Sequence, residues 1–514
     1  MPAKWLKDAV FYEIYPQSFR DSNGDGIGDF NGIIEKLDYI QSLGCNALWI
    51  NPCYDSPFRD AGYDVRDYKK VAARYGTNED LYRLFDEAHR RGIRVLLDLV
   101  PGHTSEQHAW FRASQSADQP NEFTNRYIWT DNWFCGSRGL NYIAGEAERA
   151  SAYIVNFFKC QPALNYGFGR VEEPWQLPMD HPDCVATREA MKDVMRFWLS
   201  HGCDGFRVDM ANSLVKYDDE KKSGTSAIWL DVRRMLDEEF PEAAMVAEWS
   251  CPPQALRAGY DMDFCLNNDD TGYSTLMRDY QGGGEDDSYF RRDAPARDIN
   301  RFLKVYLNWY ADTKDLGYIS LLTCNHDTVR PRYSLEPDEL KLAYAFLFTM
   351  PGVPFLYYGD EIGMRYQNLR TKEGGYQRTG SRTPMQWDNS KNLGFSAGEA
   401  DSLYLPVDPA ADAPTVAAQE NDPDSLLNFT RALLKLRHDH ADLQADAPFE
   451  VVSAEPNAPF VWRRGRLLLA VNPFGEARTV KAPAAGMQPV FTHGSAAANG
   501  DALELGPQAF IVLE

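Results

Sequence analysis

The feature that most constrains this chain is a set of eight short apolar runs, AVFYEIYP (9–16), NALWINP (46–52), RVLLDLVP (94–101), GFRVDM (205–210), AMVAEW (244–249), DFCLNN (263–268), YISLLTCNHD (318–327) and FLYYGDEIG (355–363). Nearly continuous apolar character is what a strand buried on both faces needs, and such strands belong to parallel sheets covered on their outside. Between the runs lie stretches of helical spacing, such as Asp80 to Arg91 before Gly92 and Ala186 to His201 before Gly202, each ended by a glycine suited to a helix cap. Strand then helix, eight times over, predicts an α/β fold of the (β/α)8, or TIM, barrel type.

Two regions break the alternation. Residues 104–178 are rich in Asn, Gly and aromatics and lack a helical period, so they read as a small domain inserted after the third strand. From Phe449 to the last residue, Glu514, short alternating runs such as PFVWRR and RLLLAVNP are separated by Gly, Pro and Asn, which predicts a C-terminal antiparallel β-sandwich. The barrel is then expected from residues 1–103 and 179–448.

In a barrel of this kind the carboxyl ends of the strands carry the active site. Asp209 ends the fourth run, and Arg207, two residues earlier, faces the same side because strand side chains alternate. A guanidinium beside Asp209 is expected to keep it ionised, as a nucleophile requires. Glu248 ends the fifth run on a wall of Met, Val, Ala and Trp, which is expected to raise its pKa and suit it to an acid. Asp327 ends the seventh. Any one of these could be an ordinary strand-end carboxylate, but three converging at one mouth form the constellation of glycoside hydrolysis.

The ordered set DLVPGH (98–103), GFRVD (205–209), AEW (247–249) and NHD (325–327) resembles the signature regions of the α-amylase superfamily, glycoside hydrolase family 13, over nearly the whole chain. The resemblance implies Asp209 as nucleophile, Glu248 as general acid/base and Asp327 as transition-state stabiliser. It implies His103 and His326 as ligands of sugar hydroxyls, Arg207 as the residue orienting the nucleophile, Tyr63 as a stacking ring and Asp64 as a further hydroxyl ligand. SRTPMQWDNSKNLGFS (381–396) and QPALN (161–165) resemble stretches of the branch that holds oligo-1,6-glucosidases, α-glucosidases, sucrose isomerases and trehalose synthases. This sequence departs from the pattern at Gly102, where Asn is usual, at Ala163, where Asp is usual, and at Met210 after the nucleophile, so linkage preference stays open.

The expected activity is a retaining α-glucosidase acting on short oligosaccharides or disaccharides. A transglucosylase or isomerase acting on sucrose or trehalose is the alternative, and a non-catalytic sugar-binding relative is a third reading. The loop DSNGDGIGD places oxygen groups at Asp21, Asn23, Asp25, the Ile27 carbonyl and Asp29, a pattern that suits a hard cation; calcium in a structural role is expected, as in similar loops of the same branch.

A formal net charge of -22 disfavours nucleic acid and anionic membranes as partners. The first residues lack a basic segment followed by an apolar run, and the nine scattered cysteines form no CxxC pair, so a cytoplasmic protein with buried thiols is expected.

Overall fold

The computed structural model describes residues 2–116, 120–131, 133–134, 137–266, 271–277, 288–294, 297–373 and 378–514. Each of the eight apolar runs forms a strand: β1 (Phe11–Ile14), β2 (Ala47–Ile50), β3 (Arg94–Leu99), β4 (Gly205–Val208), β5 (Ala244–Ala247), β6 (Met262–Phe264), β7 (Tyr318–Ser320) and β8 (Phe355–Tyr357). They pair in parallel in chain order from β1 to β7, and β8 pairs with β1. A parallel bridge from Leu322 to Phe355, just beyond β7, closes the ring. The sheet is therefore a barrel whose inner and outer faces are both dry.

Helices on the outside follow the strands: α1 (Leu37–Leu43), α2 (Asn78–Arg90), α3 (Pro182–Ser200), α4 (Ser223–Glu239), α5 (Pro252–Arg257), α6 (Asn300–Thr313), α7 (Pro337–Thr349) and α8 (Leu426–Asp439). In α2 the buried side chains are Leu81, Leu84, Phe85 and Ala88, one stripe at helical spacing, and Thr77 and Asp80 form a reciprocal capping box. Helix α3 begins four residues before the sequence suggests, because Pro182 supplies a preset φ at its first position and His181 caps the Asp183 amide. No helix among the described residues is long and apolar enough to cross a membrane.

The excursion after β3 contains a two-stranded ladder of Tyr142–Ile143 with Tyr153–Ile154. It also contains a helix, Ala109–Ser114, too short to show a period in sequence. From Phe449 a five-stranded and a three-stranded antiparallel sheet enclose Val461, Leu468, Leu503, Leu505 and Ile511. This C-terminal unit packs on α7, where Phe346 meets Phe460 and Trp462 at 6.0 Å. Between β8 and α8 the described residues make short 3-10 turns and one five-residue helix, Val416–Glu420. That long segment, which the sequence reading left inside the barrel, folds over the carboxyl ends of the strands and brings Arg378 and Arg382 there. Of the eight described cysteines seven are buried and Cys251 is half-buried; Cys135 and the NNDD stretch at 267–270 lie outside the described residues.

Candidate active site

Arg207 on β4 is 1% exposed and sits beneath three carboxylates. Its Nη1 donates to Asp98 at 2.8 Å and to Asp209 at 3.2 Å, and its Nη2 reaches Glu248 Oε2 at 2.9 Å. One cation thus serves Asp98, Asp209 and Glu248. Burial pushes the Asp209 carboxyl well above the usual range, the Glu248 charge beside it pushes it further, and Arg207 only partly opposes them. Arg207 was expected to keep Asp209 ionised; here burial first, and the neighbouring carboxylate second, outweigh the shared guanidinium and raise the Asp209 pKa. Nor does Glu248 rest on an apolar wall. Besides Arg207, it accepts the Met210 amide at 2.9 Å, which a left-handed backbone at Met210 (φ 43°) turns toward it.

Asp327 has the opposite surroundings. Burial works to raise its pKa, but His326 at 3.1 Å, Arg378 at 2.6 Å and Arg382 at 2.8 Å together hold it well below the usual range. His326 is fully buried, yet Asp327 and Glu13 raise its pKa against that burial. Its ring lies parallel to that of Tyr63, centroids 5.5 Å apart. The Tyr63 hydroxyl lies 2.6 Å from His326 Nε2 and 3.1 Å from Asp98 Oδ2. His103 faces the Tyr63 carbonyl at 3.2 Å, and burial lowers its pKa to about 4, so it is neutral.

These groups surround a cavity of about 140 Å³ lined by Tyr63, His103, Asp209, Glu248 and Asp327, together with Asp60, Phe157, Gln161, Met210 and Arg378. Asp64 does not line it. Its Oδ1 accepts the Ser56 hydroxyl and the Asp60 amide, and its Oδ2 accepts the Arg59 amide, so Asp64 builds the turn that presents Asp60. Asp60 meets Arg378 directly and accepts from Gln161 at 2.7 Å; burial pushes its carboxyl up to about 6 against those two partners. Asp60, Gln161, Arg378 and Phe157 were not singled out from sequence. Asp60 lies three residues before Tyr63 and Gln161 opens the QPALN stretch, so both stood beside recognised residues. Arg378 had no such signal.

The Gly102 departure has a local explanation. A Cβ there would come within 2.7 Å of Asn156 Nδ2, which donates to the Gly102 carbonyl at 2.7 Å. Lys216 in turn donates to Asn156 Oδ1 at 2.8 Å, so the side chain from the excursion occupies the space that a residue at 102 would fill.

In the loop 21–29, Asp21, Asn23 and Asp25 each accept the amide two residues on, closing successive Asx turns. Asp21 also accepts the Gly26 amide and the Ser396 hydroxyl, and Asp29 accepts Ser22 and caps the helix at Gly32. Among the described residues no group of three or more His, Cys, Asp or Glu side chains is gathered as a metal centre.

A family model described as the alpha amylase catalytic domain matches residues 13–446. The chain belongs to the α-amylase family. Among relatives in this family, the oligo-1,6-glucosidase of Heyndrickxia coagulans is 32% identical over 91% of this chain and 92% of its own. The trehalose synthase/amylase TreS of Mycobacterium tuberculosis is 33% identical over 88% of this chain and 78% of its own. The solved trehalulose synthase MutB of Pseudomonas mesoacidophila MX-45 superposes with a TM-score of 0.82 at 26% identity and covers all of both chains. This α-amylase-family protein is accordingly a glycoside hydrolase by family, and its carboxylate-lined barrel mouth is the part of the molecule that suits the chemistry.

Proposed function

We propose that the protein is a retaining α-glucosidase that removes a terminal α-linked glucose from short oligosaccharides or disaccharides. The observation that carries this reading is the cavity of about 140 Å³ whose lining brings Asp209, Glu248 and Asp327 together. On the same lining Arg378 ties Asp60 to Asp327 and Gln161 backs Asp60, a wall of paired polar groups suited to the hydroxyls of a terminal glucose. The oligo-1,6-glucosidase relative supports the same class.

In this reaction the Asp209 carboxylate attacks the anomeric carbon while Glu248 gives a proton to the departing oxygen, leaving a glucosyl ester on Asp209. Glu248 then takes a proton from water, which releases glucose with the α configuration retained. Both carboxylates touch Arg207, which lies within reach of whichever of them carries the negative charge at each step. Asp327, kept ionised by His326, Arg378 and Arg382, supplies negative charge beside the oxocarbenium-like transition state.

A second reading, transfer of the glucosyl group to a released sugar, is favoured by the whole-chain likeness to a trehalulose synthase and the similarity to a trehalose synthase/amylase. It uses the same carboxylates and differs in what reaches the glucosyl ester. Incubation with maltose, isomaltose, sucrose and trehalose separately, with products followed over time, tests both. Free glucose as the main early product supports the hydrolase; early accumulation of a rearranged disaccharide replaces it with the transferase.

The loop 21–29 is proposed to take up calcium as a structural ion, on the strength of its hard oxygen donors at alternate positions. Calcium chloride is expected to raise Tm in the wild type and not in Asp25→Ala. A Tm that ignores calcium overturns the assignment.

A further inference from the structure

The geometry points to Glu13 as a positioning residue that keeps both ring nitrogens of His326 protonated, so that a chain of hydrogen bonds of fixed direction runs from the barrel floor through Tyr63 and Asp98 to the nucleophile's arginine. The inference deepens the α-glucosidase reading and rests on it for its kinetic arm.

Glu13 lies on β1 with no exposed surface and does not line the cavity, so it touches no substrate. Its Oε1 stands 2.8 Å from His326 Nδ1 and accepts from Asn51 Nδ2 at 3.2 Å. Its Oε2 has no hydrogen-bond partner among the described residues. A carboxyl group so placed is costly to bury unless a cation answers it, and the imidazole is the group positioned to do so.

The other ring nitrogen fixes the direction of the chain. Nε2 lies 2.6 Å from the Tyr63 hydroxyl and 3.1 Å from Asp327 Oδ2. With the Asp327 carboxylate an acceptor, Nε2 carries a proton; with the Glu13 carboxylate an acceptor, Nδ1 carries the other, and the Asn51 amide, 3.1 Å from Nδ1, donates to Glu13 instead. Burial raises the Glu13 pKa, and the imidazole is the group that opposes it. Tyr63 then accepts from Nε2 and spends its own proton on Asp98 Oδ2 at 3.1 Å. Asp98 accepts from Arg207, and Arg207 also holds Asp209. Along this path negative and positive groups alternate, with neutral Tyr63 between His326 and Asp98. If His326 lost the Nδ1 proton, the ring would be neutral, Asp327 would keep Arg378 and Arg382 but lose its third cation, and the charge balance under Asp209 would change.

The groups facing His326 from the surrounding elements are Glu13 on β1, the Tyr15 ring after β1, the Trp49 ring on β2, Asn51 and Tyr63 after β2, and Arg382 after β8. Arg382 donates to the His326 carbonyl at 2.9 Å; burial opposes protonation of the ring, and Asp327 and Glu13 favour it.

The experiment is histidine-selective ¹⁵N NMR of the full-length enzyme between pH 5 and 9, with the His326 signal identified among the nine histidines by its loss in His326→Gln. In the wild type both His326 nitrogens are expected to stay protonated beyond pH 7. In Glu13→Gln, which keeps the shape and removes the charge, His326 is expected to lose its proton at least about one pH unit lower. The alkaline limb of kcat should move by the same interval, with kcat down about tenfold or more and KM changed less than about threefold. Glu13→Asp, which keeps the charge, is expected to retain the wild-type titration. A wild-type His326 that is already neutral at pH 7 overturns the inference, and that result needs no variant to fold. An unchanged titration in a folded Glu13→Gln overturns it equally. Failure of the wild type to turn over any α-glucoside would sink the function proposed above and leave the NMR result to decide the role of Glu13.

Discussion

Arg207 reaches Glu248 Oε2 at 2.9 Å with the same guanidinium that holds Asp209 at 3.2 Å. Two carboxylates, proposed above as the nucleophile and the acid, therefore draw on one cation.

Asp209→Asn is expected to lower turnover of any accepted α-glucoside by about a thousandfold or more, since the amide cannot form the glucosyl ester. The same change should raise Tm at neutral pH by about 1–2 °C. Asp209 has a raised pKa in the folded state, so its contribution is fully present below the ordinary carboxylate pKa and is lost as pH rises toward the folded value. The gain in Tm should accordingly fade as pH falls below about 4. A Tm that drops at neutral pH would contradict the shared-cation account.

Asp327 has the opposite sign. Its folded pKa is depressed, so its stabilisation is present above the ordinary carboxylate pKa and disappears as pH falls through the folded value. Asp327→Asn is expected to lower Tm at neutral pH and to narrow its gap to the wild type in acid, which a series of melting curves would check.

Removing Arg378 leaves Asp60 without its guanidinium and Asp327 with one fewer. Arg378→Met should raise KM for a terminal α-glucoside by about tenfold or more, because the unpaired carboxylates must be resolvated in the cavity wall. Longer oligosaccharides should lose less than disaccharides. Equal KM values for variant and wild type would show that the wall does not bind sugar.

Asp60 loses its charge near pH 6, within reach of ordinary assays. KM is expected to rise as pH falls through about 6, where the carboxylate stops accepting from sugar hydroxyls. Asp60→Asn should have a raised KM with that inflection removed. Persistence of the inflection in Asp60→Asn would assign it to another group.

A side chain at Gly102 would displace Asn156 from the Gly102 carbonyl and from Lys216. Gly102→Asn is expected to lower Tm by about 1–3 °C, and Gly102→Asn with Asn156→Ala to recover part of the loss by vacating the space. Thermal unfolding of the two variants side by side reads the coupling.

The barrel was legible because strands buried on both faces read as unbroken apolar runs, and Asp209, Glu248 and Asp327 stood out as carboxylates at the ends of such runs. Asp60 and Asp64 show the limit of that reading. They lie four residues apart in one turn, with no period to say which faces inward, and the hydrogen bonds from Ser56, Arg59 and Asp60 that turn Asp64 away are tertiary facts. Arg378 left even less trace, since it sits in an irregular segment with no pattern marking its side chain.

The sequence by itself determined the alternation of strand and helix, the inserted and terminal units, and the family through its ordered motifs, because each depends on local composition and spacing. Only the tertiary structure decided which groups share a cation and which residues line the cavity. The pKa of each carboxyl follows from burial and from how many carboxylates share a cation, and Arg207 meets Asp98, Asp209 and Glu248 from three different strands. Sequence distance carries no information about that sharing, so local reasoning assigns Arg207 to Asp209 alone, whereas the fold buries Asp209 and divides the cation among three carboxylates.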